Sequence, residues 1–171
     1  MLAGIAATIE GDYIDRDIEW VGSPFAWIKA RPSRQIGAIG EALVAGWCAA
    51  KGFDVVRSPD TDADRVIAGK RIEIKFSSLW TGLPIFKFQQ IRDQNYEFCF
   101  CLGVSPFDAQ AWLIPKSALA VVRPPFLVHQ HGGARGLDTM WLSVVASDPP
   151  DWLLPFGGRL SEVARLLKST K

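Results

Sequence analysis

Apolar and polar positions alternate along this chain with two different periods, and the changes of period mark its elements. From Ser33 to Lys51 the apolar residues Ile36, Ile39, Leu43, Val44, Trp47 and Cys48 recur at helical spacing. Ser33 can cap the start and Gly52 stop the end, which predicts a helix from about Arg34 to Lys51. Gly37 and Gly40 weaken helix propensity inside it, so the pattern predicts a close backbone approach there. The period then falls to two. Phe53–Arg57 reads as a strand, residues 58–62 as a polar turn, and the two apolar runs around Gly69-Lys70 as a β-hairpin closed at those two residues. In its second run Arg71, Glu73, Lys75 and Ser77 alternate with Ile72, Ile74 and Phe76, placing charge on one face and apolar side chains on the other.

Beyond the hairpin, Phe86–Asn95 reads as a short helix with its polar residues exposed, and Tyr96–Val104 as a strand buried on both faces. Gln110–Ile114 forms another strand, Ser117–Val121 a helical turn, and Phe126–His129 and Thr139–Val145 strands around a Gly-rich loop. Leu160–Lys168 is a terminal helix capped by the preceding glycines. Residues 1–32 have no clean period and read as a cover packed through Trp20, Phe25, Trp27 and Ile28. This order predicts an α/β domain with a central mixed sheet of about four or five strands and helices on both sides. It is read as a single domain over 1–171, with an arm at 1–32, a core at 33–121 and an extension at 122–171.

Composition narrows the class. With 171 residues, 49% hydrophobic and 22% charged, the chain can bury a sizeable core and is not compositionally disordered. No apolar run is long enough for a membrane span, and Met1–Ile9 lacks the basic start of a signal peptide. Cys48, Cys99 and Cys101 cannot all pair, and Cys99 and Cys101 share a strand face, so buried thiols and a cytoplasmic location are expected. Net charge is only +1, yet residues 1–19 carry −4 and the remainder +5. Arg65, Lys70, Arg71, Lys75, Lys87 and Arg92 gather in and just after the hairpin. A basic patch beside carboxylates suits a polyanionic substrate, and it also suits a charged, defended sheet edge.

Chemistry concentrates in the hairpin. A two-residue loop at Gly69-Lys70 sets Asp64 opposite Lys75 and diagonal to Glu73, whereas a loop one residue earlier sets Asp64 directly opposite Glu73. In either register two carboxylates and an ammonium converge. Mg²⁺ held by one or two carboxylates supplies water activation and a charge clamp for phosphodiester hydrolysis, and a neighbouring lysine can orient or deprotonate the water. Glu41 falls close to the apolar stripe of the first helix, where a carboxylate needs either a salt-bridge partner or a cation.

Asp64, Glu73 and Lys75 in this spacing resemble the signature of the PD-(D/E)XK nuclease superfamily. Gly37-Ala38-Ile39-Gly40-Glu41, followed by Lys51-Gly52-Phe53-Asp54-Val55-Val56, is similar to that fold's first helix and strand. The resemblance covers roughly residues 36–116. It implies a restriction-endonuclease-like three-layer α/β/α core and a DNA endonuclease of restriction, repair or recombination type. It further implies Mg²⁺, with Mn²⁺ substituting, held by Asp64, Glu73, the Ile74 backbone carbonyl and Glu41, with Lys75 assisting the nucleophilic water. Lys87, Gln90, Arg92 and Arg71 are the expected nucleic-acid contacts. A single-domain enzyme of this kind is expected to cut both strands as a homodimer. The family's usual proline is replaced by Ala63, and Asp62 is an alternative first ligand. Competing readings are a catalytically inert binding relative and an interaction domain whose hairpin charges form a salt bridge. His129 and His131 could bind a metal but lack an obvious third ligand; Arg135 in the Gly-rich loop could touch DNA; and Trp80 could stack on a base.

Overall fold

The computed structural model describes residues 1–80, 82–122, 127–129 and 139–169, the side chains of residues 10–17 and of His129 excepted. The chain opens with helix α1 (Leu2–Ile14), a 3-10 turn (Asp15–Trp20) and the short α2 (Ala26–Lys29). The aperiodic cover expected there is therefore helical, and among the described side chains it is the second half that packs on the body. Trp20 and Ile28 are buried and Phe25 packs beside them, whereas Trp27 is half exposed and Leu2, Ile5 and Ile9 stand in solvent.

Helix α3 (Ser33–Ala50) follows, with Pro32 rather than Ser33 at the cap position. Its end is the expected one. Gly52 has φ +81°, its N–H reaches Ala49 O at 2.9 Å, and the Phe53 N–H reaches Cys48 O at 3.1 Å, the two bonds of a Schellman stop. Val44 and Cys48 bury the apolar stripe against the sheet. Gly40 is where α3 approaches most closely: a Cβ there would sit 2.2 Å from Phe76 Cβ. Gly37 has open space in place of the expected contact.

Five strands form the central sheet: β1 (Val55–Arg57), β2 (Arg65–Ile67), β3 (Lys70–Ser78), β5 (Phe98–Val104) and β6 (Ala109–Pro115), adjacent in that order. The β3–β5 pair is parallel and the others antiparallel, so the sheet is mixed, as expected. Central β5 is buried on both faces apart from its first residue, in line with its composition. Helices α3 and α5 (Leu160–Ser169) cover one face over Ile67, Ile72, Ile74, Phe100 and Leu113. The start of α5 is fixed by the Arg159 N–H donating to Glu162 Oε2 at 3.0 Å, a side-chain cap in place of the expected glycines.

A second sheet covers much of the other face. Its strands β4 (Ile85–Ile91), β8 (Met140–Val145) and β7 (Leu127–His129) are antiparallel, in the order β4-β8-β7. The helix expected over Phe86–Asn95 is thus strand β4, with Phe86 and Phe88 pointing inward onto Trp112. The short α4 (Lys116–Leu119) and a 3-10 turn (Asp151–Phe156) close this core through Leu119 and Leu153. Residues 139–169 therefore belong to both layers, β8 pairing with β4 and α5 packing on β6. The three cysteines are free and buried, Cys99 and Cys101 with sulfurs 3.7 Å apart, and burial pushes the Cys48 thiol up to about 12. Among the described residues, no helix is long and apolar enough to cross a membrane.

Candidate active site

The hairpin fixes the arrangement of charges. Arg65, Val66 and Ile67 pair with Ile72, Arg71 and Lys70, so the loop is Ala68-Gly69, with φ +51° and +77°. Positive φ at both central residues is the hairpin turn that matches strand twist. The loop is one residue earlier than Gly69-Lys70, and the ladder ends at the Arg65–Ile72 pair, with Asp64 just beyond it. Asp64 is locked there from both ends. Its N–H donates to Ile72 O at 3.0 Å, and its Oδ2 accepts the Ile74 N–H at 2.7 Å.

The polar face of β3 turns inward, toward the second sheet. Glu73 is only 6% exposed, and its Oε1 lies 2.6 Å from Lys75 Nζ. Both sit on the strand face shared with their β5 partners Cys99 and Cys101. Burial pushes the Glu73 carboxyl above its ordinary value, Lys75 pulls it back in part, and the carboxylates of Asp64 and Glu41 add to the rise. Burial opposes the charge on Lys75, yet the Glu73 carboxylate outweighs it and holds the ammonium's pKa above its usual value.

Glu41 arrives from α3, next to the Gly40–Phe76 contact. Its Oε2 lies 3.3 Å from Arg65 Nη1, and the same guanidinium nitrogen donates to Asp64 O at 2.7 Å. Burial, then repulsion from Asp64, raises the Glu41 pKa despite Arg65. Glu41 thus has the salt-bridge partner expected of such a carboxylate, and it also feels the charge of a second carboxylate, Asp64. Arg65 was legible as part of the basic cluster, but nothing in the sequence marked it as the link between these acids.

An open cleft of about 380 Å³ collects these groups. Glu41, Asp64, Ile74 and Lys75 line one side, and Lys87, Gln89 and Gln90 of β4 line the other, with Ser77 and Trp80 between. Glu73, buried and paired with Lys75, does not itself line the cleft. Asp64, not Asp62, faces the cleft, and the Asp62 N–H instead closes a turn on Asp60 Oδ1 at 2.9 Å. Ser77 was read only as part of the alternation; it is buried, and its Oγ accepts the Lys87 N–H at 2.9 Å, joining the two sheets at the cleft. Gln89 and Gln90 enter the cleft through a β-bulge, Gln90 at φ +57°.

Other expected contacts lie elsewhere. Arg71 is tied to Asp60 Oδ1 at 2.7 Å and Asn95 O at 2.6 Å, and Arg92 is exposed outside the cleft. The side chain of His129, and His131 and Arg135 entirely, lie outside the described residues.

Among the described residues, no three His, Cys, Asp or Glu side chains stand close enough together to hold a metal ion. The donor set nevertheless fits a hard divalent cation. Asp64 offers a carboxylate in the cleft, Glu41 stands beside it, and the mutual repulsion of Glu41, Asp64 and Glu73 is what a cation would relieve. Mg²⁺ asks for only one or two carboxylates and keeps its remaining waters.

A central mixed sheet carrying helices on one face and an open, acid-and-lysine cleft on the other defines an α/β, nuclease-like fold. The chain is similar to the solved structure of the bacterial homing endonuclease I-Ssp6803I, with a TM-score of 0.53 and 12% identity, over 80% of this chain and 92% of that one. No protein-family model matches the sequence, and no curated protein matches it.

Proposed function

We propose that this protein is a metal-dependent DNA endonuclease of the PD-(D/E)XK type. The observation that carries the reading is the Asp64 carboxylate held by the Ile74 N–H at 2.7 Å at the edge of an open cleft, one residue from the Glu73–Lys75 pair at 2.6 Å. The shared fold with a homing endonuclease supports it.

In this reading Asp64 and Glu73 hold Mg²⁺ or Mn²⁺, with Glu41 and the Ile74 carbonyl as further oxygen ligands. The bound cation supplies charge neutralisation at the phosphate and a more acidic water. The Ile74 N–H holds one Asp64 oxygen so that the carboxylate keeps a fixed orientation. Lys75 would exchange its contact with Glu73 for the attacking water or the negative charge developing on the phosphoryl oxygens. Arg65 restrains Glu41 in the absence of a cation. Lys87 and Gln90 meet the nucleic acid from β4, and two copies of the chain would supply one site per strand.

The test is incubation with supercoiled plasmid and with branched DNA, with and without Mg²⁺. Nicking or linearisation that needs Mg²⁺ and is lost in Glu73→Ala and Lys75→Ala is the expected result. Cleavage that persists in EDTA, or that Lys75→Ala leaves unchanged, overturns the mechanism.

A further inference from the structure

We infer that Lys87, held between Trp80 and Trp141, grips a backbone phosphate of the nucleic acid, and that the two tryptophans are positioning residues for it. The inference rests on the nucleic-acid substrate proposed above, and it adds a function for two side chains which that reading leaves idle.

Lys87 Nζ lies 3.9 Å from the centre of the Trp80 ring and 5.4 Å from that of Trp141. Two indole faces on one ammonium stabilise its charge through their quadrupoles, and tryptophan does so better than any other side chain. They also remove most of the rotational freedom that a lysine otherwise has. The backbone is fixed as well, because the Lys87 N–H donates to the buried Ser77 Oγ. Among the described residues, Lys87 has no carboxylate within ion-pair distance, unlike Lys75 and Lys116. A fixed cation lining the cleft without a counter-ion is a site for an anion.

Trp141 points the same way from another direction. Its Nε1 is buried and has no hydrogen-bond partner among the described residues. The same holds for Trp112 and Trp152, so what sets Trp141 apart is its ring on the Lys87 ammonium. The bulge in β4 sets Gln89 and Gln90 together against Trp141, between the Phe88–Leu142 and Ile91–Met140 pairs, and both glutamines line the cleft beside Lys87. Trp80 is 40% exposed, which leaves ring surface beside the ammonium for the sugar or base next to the gripped phosphate.

The experiment measures binding of a short labelled duplex by anisotropy, with Ca²⁺ in place of Mg²⁺ and over a range of salt, for wild type, Lys87→Met, Lys87→Arg, Trp141→Ala and Trp141→Phe. Inorganic phosphate is the competitor that separates a backbone site from a free-phosphate site. Expected are a several-fold loss for Lys87→Met with a salt slope shallower by about one, a similar loss for Trp141→Ala, and substantial recovery in Trp141→Phe and Lys87→Arg. Lys87→Met with wild-type affinity and slope overturns the inference, as does Trp141→Phe binding as weakly as Trp141→Ala, or displacement of the duplex by millimolar phosphate. Wild-type protein that binds the duplex but cuts nothing in Mg²⁺ overturns the nuclease reading alone. Protein that binds no DNA overturns both.

Discussion

Lys75 Nζ and Glu73 Oε1 are 2.6 Å apart on one strand face, with only 16% and 7% of their side chains exposed. Removing one partner of such a pair strands the other charge in a poor solvent, at a cost of about 3 kcal/mol. Lys75→Ala should therefore lower the stability of the metal-free protein by that order and abolish cleavage. The double substitution Glu73→Gln with Lys75→Met removes both charges, so it should regain much of the stability while cleavage stays lost. Urea unfolding of the three proteins beside plasmid nicking checks this. A double variant no more stable than Lys75→Ala would show that the pair is not what the single change disrupts.

The raised carboxyls of Glu41 and Glu73 give a pH dependence whose sign is fixed. Both folded values lie above the ordinary 4.5, so the folded chain holds these protons more tightly than the unfolded chain does. Their contribution to stability is complete below about 4.5 and is lost as pH rises through the higher folded values. Lys75, raised above 10.5, keeps its contribution throughout this range and loses it only in stronger alkali. Metal binding needs the carboxylates ionised, so the apparent affinity for Mn²⁺ should fall as the pH is lowered across the interval that holds the raised values of Glu41 and Glu73, with protons released on binding. Calorimetry in two buffers of different ionisation enthalpy measures both. Affinity that is flat across that interval contradicts the proposed ligands.

Much of this arrangement was legible because it follows from local patterns. The α3 stripe, the Gly52 stop and the apolar run of β5 each report a period or a backbone requirement that tertiary packing does not override. Strand β4 was hidden by its bulge. Phe86 and Phe88 point inward at strand spacing, but Gln90 at φ +57° inserts a residue, so Ile91 returns to the core three positions after Phe88. A step of two followed by a step of three among glutamines reads as a polar helix. The hairpin register was hidden for a related reason, since the turn places Ala68 at positive φ, where sequence reasoning favours glycine. That one-residue difference ends the ladder at Arg65–Ile72 and keeps Asp64 from facing Lys75. The inward face of β3 was invisible too, because alternation shows that two faces differ and not which layer covers the polar one.

Gly40 and Gly37 should respond in opposite ways to alanine. At Gly40 the new Cβ meets Phe76 Cβ at 2.2 Å and Cγ at 2.7 Å, both close to the backbone of β3, so α3 must shift. The expected loss is about 1–3 kcal/mol, and Glu41, the next residue, moves with the helix, so cleavage should fall as well. At Gly37 nothing lies within 4 Å, and alanine should stabilise the helix by up to about 1 kcal/mol. Thermal unfolding of the two variants is the comparison. A destabilised Gly37→Ala would mean that the open space at the cleft rim is used by something other than solvent.

Ser77 joins the two halves of the cleft through a single hydroxyl. Its Oγ accepts the Lys87 N–H at 2.9 Å and donates to Ser78 O at 2.9 Å, and the residue is 5% exposed. Ser77→Ala leaves the Lys87 N–H without that acceptor at a buried junction, a cost of about 1–3 kcal/mol. The same change frees β4 to move relative to β3, so Lys87 loses its fixed distance from Lys75 and Asp64. Stability and duplex affinity should fall together, while Mn²⁺ affinity, which the proposed function assigns to Asp64, Glu73 and Glu41, should hold. Measuring all three on one preparation separates the alternatives. Weakened metal binding would mean that the hydroxyl supports the carboxylates instead, and unchanged DNA affinity would mean that β4 keeps Lys87 in place without it.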